Sequence, residues 1–291
     1  MRTLRETRVM LNYVLGNSMM PPFLQSAQVK SALMSVIGHL ECAEKWEVNL
    51  YQDYGITRFL GLFFADVKAL EVGKMMVWGG GWNCRLGHGV MHVLQRDRED
   101  SFTLTTCNTG DGLQYHNSSA RCFPKEICNH FLAVRDIPRA RLVDDFSWAH
   151  MLWGLRFETL DSNCSQVFFL YHPFLLSWVV IFFVILASSQ VLYEVVLPHL
   201  NGGPVFDSSD IESASMLSQK DVTLKAGPQG KEPDDGYGVP QRSGTCAARS
   251  VLAVVKYLLK CFGINPPERK LIFYCFRMVK AHAVHELLLY F

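Results

Sequence analysis

The sequence lacks the cysteine patterns that mark metal and redox sites. Its nine cysteines are scattered over 291 residues, with no CxxC pair and no tight His/Cys cluster. Zinc ribbons and thioredoxin-like sites need closely spaced ligands or thiols, so we expect no metal and no cofactor. An odd number of dispersed cysteines is typical of reduced thiols, which predicts an intracellular protein.

The chain also lacks an excess of either charge. It carries 28 Lys and Arg against 27 Asp and Glu, a formal net charge of +1. Nucleic-acid binding depends on a concentrated basic surface, so nucleic acid is not an expected partner. Hydrophobic residues make up 49% of the chain, which is typical of a folded protein rather than a disordered one.

One long run has no charged residue. Residues 162–193 contain no Asp, Glu, Lys or Arg, and the most apolar part, Phe174 to Leu192, is 19 residues long. About 20 apolar residues cross a bilayer. The run therefore predicts one long apolar helix over residues 167–193, which is either a single-pass membrane helix or an insertion into the domain.

A short repeat is compatible with the second interpretation. Ser-Gln-Val occurs at residues 165–167 and again at residues 189–191. Removing residues 167–190 would restore a continuous SQVLYEVVLPHL, as expected if an intron had been retained and translated in frame.

The remaining sequence predicts an α+β fold, with helices around a small antiparallel sheet that the apolar helix interrupts. Residues 1–166 combine a helical start, with an amphipathic helix over residues 25–46, and a β-hairpin. Residues 201–240 are rich in glycine, proline and serine, and between Asp207 and Asp235 they hold seven acidic residues against three lysines. This composition predicts an acidic flexible linker before a C-terminal helical half over residues 241–291.

The predicted hairpin brings together His88 and Asn108. A turn at residues 97–99 would place these two residues opposite each other, on the face that carries an apolar floor of Val90, Leu94, Phe102 and Leu104. An Asn side chain can accept the proton of one imidazole nitrogen. The other nitrogen is then able to take a proton from a nucleophile.

The candidate nucleophile is Cys246, in the segment VPQRSGTCAARSVLAVVKYLL. This segment predicts a helix that begins near Cys246, and the start of a helix favours the thiolate form. Gln241, five residues earlier, could donate a hydrogen bond to the oxyanion of a tetrahedral intermediate, together with the Cys246 main-chain N–H. The same positions would also suit an inert, buried cysteine.

These residues resemble the papain-like cysteine peptidases, ubiquitin-specific proteases included. The resemblance rests on a Gly-His pair that opens a strand, an Asn followed by a glycine loop, and a Gln before a Gly-x-Cys that opens a helix. It implies a papain-like fold with Cys246 as nucleophile, His88 as general base, Asn108 as orienting residue and Gln241 in the oxyanion hole.

The order His, Asn, Cys is that of the circularly permuted branch of the family. Asp111, in the sequence NTGDG, is an alternative to Asn108 as the orienting residue. The resemblance implies a protein or peptide substrate, ubiquitin-like proteins included, and cleavage of peptide or isopeptide bonds.

Two other functions are compatible with the sequence. A membrane helix at Phe174 to Leu192 would make the chain a non-catalytic single-pass membrane protein with a structural Cys246. A membrane between His88 and Cys246 would also prevent any hydrogen bond between them. A peptidase-like module that binds its partner without cleaving it is the third interpretation.

Overall fold

The computed structural model describes residues 2–16, 21–51, 56–82, 88–116, 118–119, 127–145, 147–157, 189, 191–202, 237–238 and 246–289. Gln241, most of the charge-free run and most of the predicted acidic linker lie outside these residues. The predictions made for them are not addressed by the fold.

The helices and strands follow one another along the chain. The α-helices are α1 (Arg2–Gly16), α2 (Ala27–Tyr51), α3 (Ile56–Ala69), α4 (Ser147–Phe157), α5 (Leu197–Leu200), α6 (Cys246–Cys261) and α7 (Pro266–Leu289). The strands are β1 (Met75–Trp82), β2 (His88–Arg98), β3 (Ser101–Cys107), β4 (Ser118–Ser119), β5 (Ile127–Asn129), β6 (Phe131–Pro138) and β7 (Tyr237–Gly238). Two π-helical segments are Ala140–Asp144 and Val191–Val196.

The main sheet has four antiparallel strands in the order β1-β2-β3-β6, and β4, β5 and β7 form a smaller sheet. The predicted α+β class with a small antiparallel sheet is therefore confirmed. Strands β2 and β3 form the predicted hairpin. Helix α6 begins at Cys246, as the sequence predicts.

The predicted register of this hairpin was wrong by two residues. Strand β2 runs on to Arg98, the turn occupies residues 99 and 100, and a bulge interrupts the pairing between Arg96 and Arg98. Thr106 rather than Leu104 therefore faces His92. Because side chains alternate along a strand, a shift of two residues leaves each side chain on its predicted face.

The sheet separates two hydrophobic cores. The first core packs one sheet face against α3, α4 and the segment 191–197, and it includes the predicted apolar floor of Val90, Leu94, Phe102 and Leu104. The second core packs the opposite face against α1, α2, α6 and α7, with Val77, Met91, Val93 and Cys107 from the strands. Both faces of the sheet are thus covered, and the candidate residues lie at one end of β2.

No helix among the described residues is long and apolar enough to cross a membrane. Residues 158–188 and 190 lie outside the described part of the chain. At the end of the predicted apolar helix, the structure differs from the prediction. Residues 191–193 belong to the short π-helical segment Val191–Val196, and their side chains are buried in the first core because sheet and helix residues surround them.

Candidate active site

His88 and Asn108 are joined by a hydrogen bond. His88 opens β2, and Asn108 directly follows the last residue of β3, where its N–H donates to the His130 carbonyl and continues the ladder. Nε2 of His88 lies 2.8 Å from Oδ1 of Asn108. The predicted contact therefore exists, although Asn108 lies one residue beyond the strand and not directly opposite His88.

The orientation of the Asn108 amide follows from its main-chain partners. Oδ1 accepts the Gly110 N–H at 3.0 Å, and Nδ2 donates to the Asp111 carbonyl at 2.6 Å. An N–H can only donate and a carbonyl can only accept, so these two bonds decide which end of the amide faces His88. Because Oδ1 faces the imidazole, Nε2 of His88 carries the proton and Nδ1 is left as the acceptor of the neutral ring.

Cys246 lies beside the residue that follows His88. Its half-buried Sγ accepts the N–H of Gly89 at 3.4 Å. One turn further along α6, Ser250 Oγ donates to the Gly89 carbonyl at 2.9 Å. Both main-chain groups of Gly89 are therefore held by the first turn of α6, which fixes the thiol next to the imidazole-bearing end of β2.

This close approach depends on the missing side chain of Gly89. A Cβ at this position would lie 3.1 Å from both Cα and Cβ of Ala247. Such a distance is shorter than ordinary van der Waals contact. The start of α6 would have to move by a few tenths of an ångström to accommodate a side chain here, so the missing side chain of Gly89 allows the close packing of α6 against β2.

Trp82 covers one side of the imidazole. It pairs with His88 across β1 and β2, and the two ring centroids are 4.7 Å apart with an interplanar angle of 32°. Its Nε1 donates to Oδ2 of Asp111 at 2.9 Å. Asp111, the alternative orienting residue, therefore binds Trp82, while Asn108 is the residue hydrogen-bonded to His88.

The surroundings keep the imidazole neutral at neutral pH. Burial lowers the pKa of His88 below its ordinary value, while the hydrogen bond to Asn108 and the negative charge of Asp111 act in the opposite direction. A neutral imidazole with an accepting Nδ1 is the form that a general base requires. The N-terminal end of α6 also lies at Cys246.

Sequence reasoning missed two buried residues that are hydrogen-bonded, one directly and one through the other, to the Asn108 side chain. Tyr193 is hydrogen-bonded to Asn108, and His116 is hydrogen-bonded to Tyr193. Tyr193 ends the charge-free run and was assigned to the apolar helix. The available signal was a tyrosine at the boundary where charged residues return, with Glu194 next in the chain.

The structure thus joins His88 to Asn108 and places the Cys246 thiol against the main chain of Gly89, the residue after His88, whereas Gln241 lies outside the described residues. Within the described ranges, no group of three or more His, Cys, Asp or Glu side chains could hold a metal ion. No family model, curated protein or solved structure matches the chain. The site geometry is therefore the basis for a functional proposal.

Proposed function

We propose that this protein is a papain-like cysteine peptidase or related thiol hydrolase that cleaves peptide or isopeptide bonds, with ubiquitin-like proteins among its substrates. Cys246 is the nucleophile, His88 the general base and Asn108 the orienting residue. The observation that carries the proposal is a neutral imidazole oriented by an amide, at the strand end where a helix start places a thiol.

The reaction begins when Nδ1 of His88 takes the proton of the Cys246 thiol. The thiolate attacks the carbonyl carbon of the scissile bond, and the resulting tetrahedral oxyanion accepts hydrogen bonds, one of them from Gln241. The imidazolium then donates its proton to the leaving amine as the C–N bond breaks, which leaves a thioester on Cys246. Water, deprotonated by His88, hydrolyses the thioester and restores the thiol.

The local contacts favour this function over an inert cysteine. A structural thiol needs only packing, whereas here the neighbouring imidazole is held in one tautomer by an amide with defined donors and acceptors. Burial also holds the imidazole in its basic form. A catalytic thiol has to stay reduced, which is consistent with the intracellular location inferred from the cysteines.

The test measures which thiol reacts first. The full chain is treated at pH 7 with iodoacetamide and, separately, with a ubiquitin bearing a C-terminal vinyl sulfone, and modified cysteines are identified by mass spectrometry. We expect Cys246 to react about 10-fold faster than Cys42, an exposed cysteine on α2, because an activated thiol has more thiolate. Equal rates for the two thiols would contradict the proposal.

Matched variants connect this reactivity to the site. Cys246→Ser should abolish labelling by the ubiquitin probe, and Cys42→Ser should leave it unchanged. His88→Ala should slow Cys246 labelling by roughly 10-fold, to about the rate of Cys42, because the thiol then lacks the base that supplies its extra thiolate. An unchanged rate in His88→Ala would also contradict the mechanism.

Turnover distinguishes a peptidase from a binding module. The full chain is incubated with ubiquitin carrying a C-terminal fluorogenic amide, and release of the fluorophore is followed. Release that is lost in Cys246→Ser supports a peptidase. Stable binding of ubiquitin by both proteins, with no release by either, would instead indicate a module that binds without cleaving.

A further inference from the structure

Tyr193 holds the second N–H of the Asn108 amide. Nδ2 of Asn108 lies 2.9 Å from the Tyr193 hydroxyl oxygen, and the Tyr193 side chain is 1% exposed. An amide nitrogen can only donate, so the hydroxyl oxygen accepts this bond. The hydroxyl proton is therefore directed to another acceptor.

His116 is that acceptor. Its Nε2 lies 2.9 Å from the Tyr193 oxygen, and its Nδ1 lies 2.7 Å from the main-chain carbonyl of Asn129. A carbonyl can only accept, so Nδ1 carries the proton and Nε2 offers its lone pair to the Tyr193 hydroxyl. The imidazole is 4% exposed, and burial lowers the pKa of His116 to about 4, which keeps it neutral at neutral pH.

These contacts form one directional series of hydrogen bonds. His88 donates to Asn108, Asn108 to Tyr193, Tyr193 to His116, and His116 to the carbonyl of Asn129. Reversing any one bond would leave two donors or two acceptors facing each other. The direction at the buried end of the series is therefore linked to the tautomer at the His88 end.

Tyr193 also ties this series to the core of the protein. Gly110 and Asp111, which contact the Asn108 amide, belong to the same loop as Asn108, so their bonds move with it. Tyr193 is 85 residues away in sequence and is buried in the first core. It is therefore the partner that fixes the amide relative to the folded domain.

The loop is shaped around the Tyr193 ring. Gly112 has φ of +88°, and a Cβ there would lie 2.5 Å from Cε2 of Tyr193. On the other side, the Tyr115 ring stacks on Tyr193 with centroids 4.8 Å apart. These contacts place the hydroxyl against Asn108 by packing.

We infer that Tyr193, supported by His116, is a positioning residue. The bonds to Gly110 and Asp111 set which end of the Asn108 amide faces His88, and Tyr193 holds that amide within reach of Nε2, which stabilises the Nε2–H tautomer of His88. The inference rests on the proposed function only for the consequence in catalysis. The tautomer itself is a property of the folded chain. The inference gives the π-helical segment Val191–Val196, which contains Tyr193, a role in the candidate site.

The test removes the hydroxyl and keeps the ring. In Tyr193→Phe, the buried N–H of Asn108 and Nε2 of His116 lose their shared partner, while stacking with Tyr115 can persist. The matched control is Tyr115→Phe, which removes a hydroxyl that donates to Glu194 at 2.5 Å. Long-range ¹H–¹⁵N correlation spectra of the imidazoles at pH 7.5 report the tautomer of each histidine directly.

The wild-type protein should show His88 as the Nε2–H tautomer and His116 as the Nδ1–H tautomer. Tyr193→Phe should give a mixture of His88 tautomers and lower kcat by roughly 10-fold with little change in KM, because a misoriented base slows chemistry more than binding. Tyr115→Phe should retain the wild-type tautomer and kcat.

Two results would overturn the inference. One is a His88 tautomer and kcat in Tyr193→Phe equal to those of the wild type. The other is a wild-type His116 in the Nε2–H form, which tests the series even if Tyr193→Phe does not fold. If the tautomers behave as expected while the wild type cleaves no substrate, the positioning role stands and the proposed function fails.

Discussion

Nε2 of His88 and Oδ1 of Asn108 lie 2.8 Å apart, although the hairpin register offsets the two residues by two positions. An even offset keeps both side chains on one face of the sheet, so they meet diagonally rather than directly across the ladder. The pair therefore depends on where β3 ends and on the loop that follows it.

Removing the Asn108 side chain should lower the pKa of His88 further. The hydrogen bond that His88 donates to Asn108 raises the pKa of His88, whereas burial lowers it, so in Asn108→Ala the effect of burial is less strongly opposed. The pKa is measured by NMR titration of the imidazole, and Cys246 labelling at pH 7 should slow by roughly 10-fold as orientation is lost.

Asn265→Ala is the matched control for this change. The Asn265 side chain accepts the Glu268 N–H at the start of α7, so its loss should cost about 1 kcal/mol of stability. The pKa of His88 should stay at its wild-type value. An Asn108→Ala protein with the wild-type pKa would show that the hydrogen bond does not act on the imidazole in solution.

Gly89→Ala should move the nucleophile. The added Cβ would lie 3.1 Å from Ala247, so the start of α6 has to shift and the bond between the Gly89 N–H and Sγ lengthens. Cys246 labelling should slow, and stability should fall by about 1 to 3 kcal/mol, as for other overpacked sites.

Gly61→Ala provides the comparison within the same chain. Gly61 lies in α3, and nothing lies within 4 Å of its Cβ position. Alanine is preferred over glycine inside a helix by about 0.5 to 1 kcal/mol, so this variant should be stabilised and label normally. Equal labelling rates in both variants would show that the close approach at Gly89 does not position the thiol.

Acid should destabilise the fold through His116. Burial lowers the pKa of His116 in the folded protein to about 4, from its ordinary value of 6.5, so the unfolded chain binds a proton first as the pH falls. The contribution of neutral His116 to the free energy of unfolding is fully present above pH 6.5 and is lost as the pH falls from 6.5 to 4. Between pH 7 and pH 5 the free energy of unfolding should fall by about 2 kcal/mol.

Urea unfolding at pH 7 and pH 5 measures this loss. In His116→Gln, the difference between the two values of unfolding free energy should shrink by about 2 kcal/mol. The unfolding free energy of His116→Gln should still depend on pH because of His130. Burial and the charges of Lys256 and Arg249 lower the pKa of His130 to about 4 as well. An unchanged pH dependence would place His116 outside the buried environment described above.

Parts of the fold were predictable because their signals are local. The hairpin and the helix that begins at Cys246 follow from residues close together in sequence. Strand β1 was not predicted, since it contains three consecutive glycines, Gly79 to Gly81, which have low strand propensity. Pairing along its whole length with β2 supplies the stabilisation that its own residues lack.

The candidate site was predictable to the same extent. His88 and Asn108 are 20 residues apart and belong to one hairpin, so alternation along the strands placed them on one face. Tyr193 is 85 residues from Asn108, and only tertiary packing brings it there. Its position at the end of an apolar run favoured assignment to that run, because hydropathy carries no information about a hydroxyl that is hydrogen-bonded in a core.

Deleting residues 167–190 should leave a folded protein. The deletion joins Gln166 to Val191 and preserves the SQV sequence. The nine residues left between Phe157 and Val191 can span up to about 30 Å, enough to connect α4 with the π-helical segment, which pack in the same core. Thermal melting and Cys246 labelling should match those of the full chain.

Alkaline carbonate extraction of cells compares the two proteins. If the run inserts into a bilayer, the full chain stays in the membrane pellet and the deletion protein is released. Loss of cooperative melting in the deletion protein would show that these residues belong to the domain rather than interrupt it.

The two cores on opposite sides of the sheet have a consequence for how the candidate site is assembled during synthesis. The face that carries His88 is closed by the first core, and the helix that carries Cys246 is held by the second. The bond between Gly89 and Cys246 spans 157 residues, so it can form only after α6 has been synthesised. In the proposed mechanism a chain that lacks α6 has no nucleophile, so a fast-reacting thiol would report the docking of α6 on the sheet.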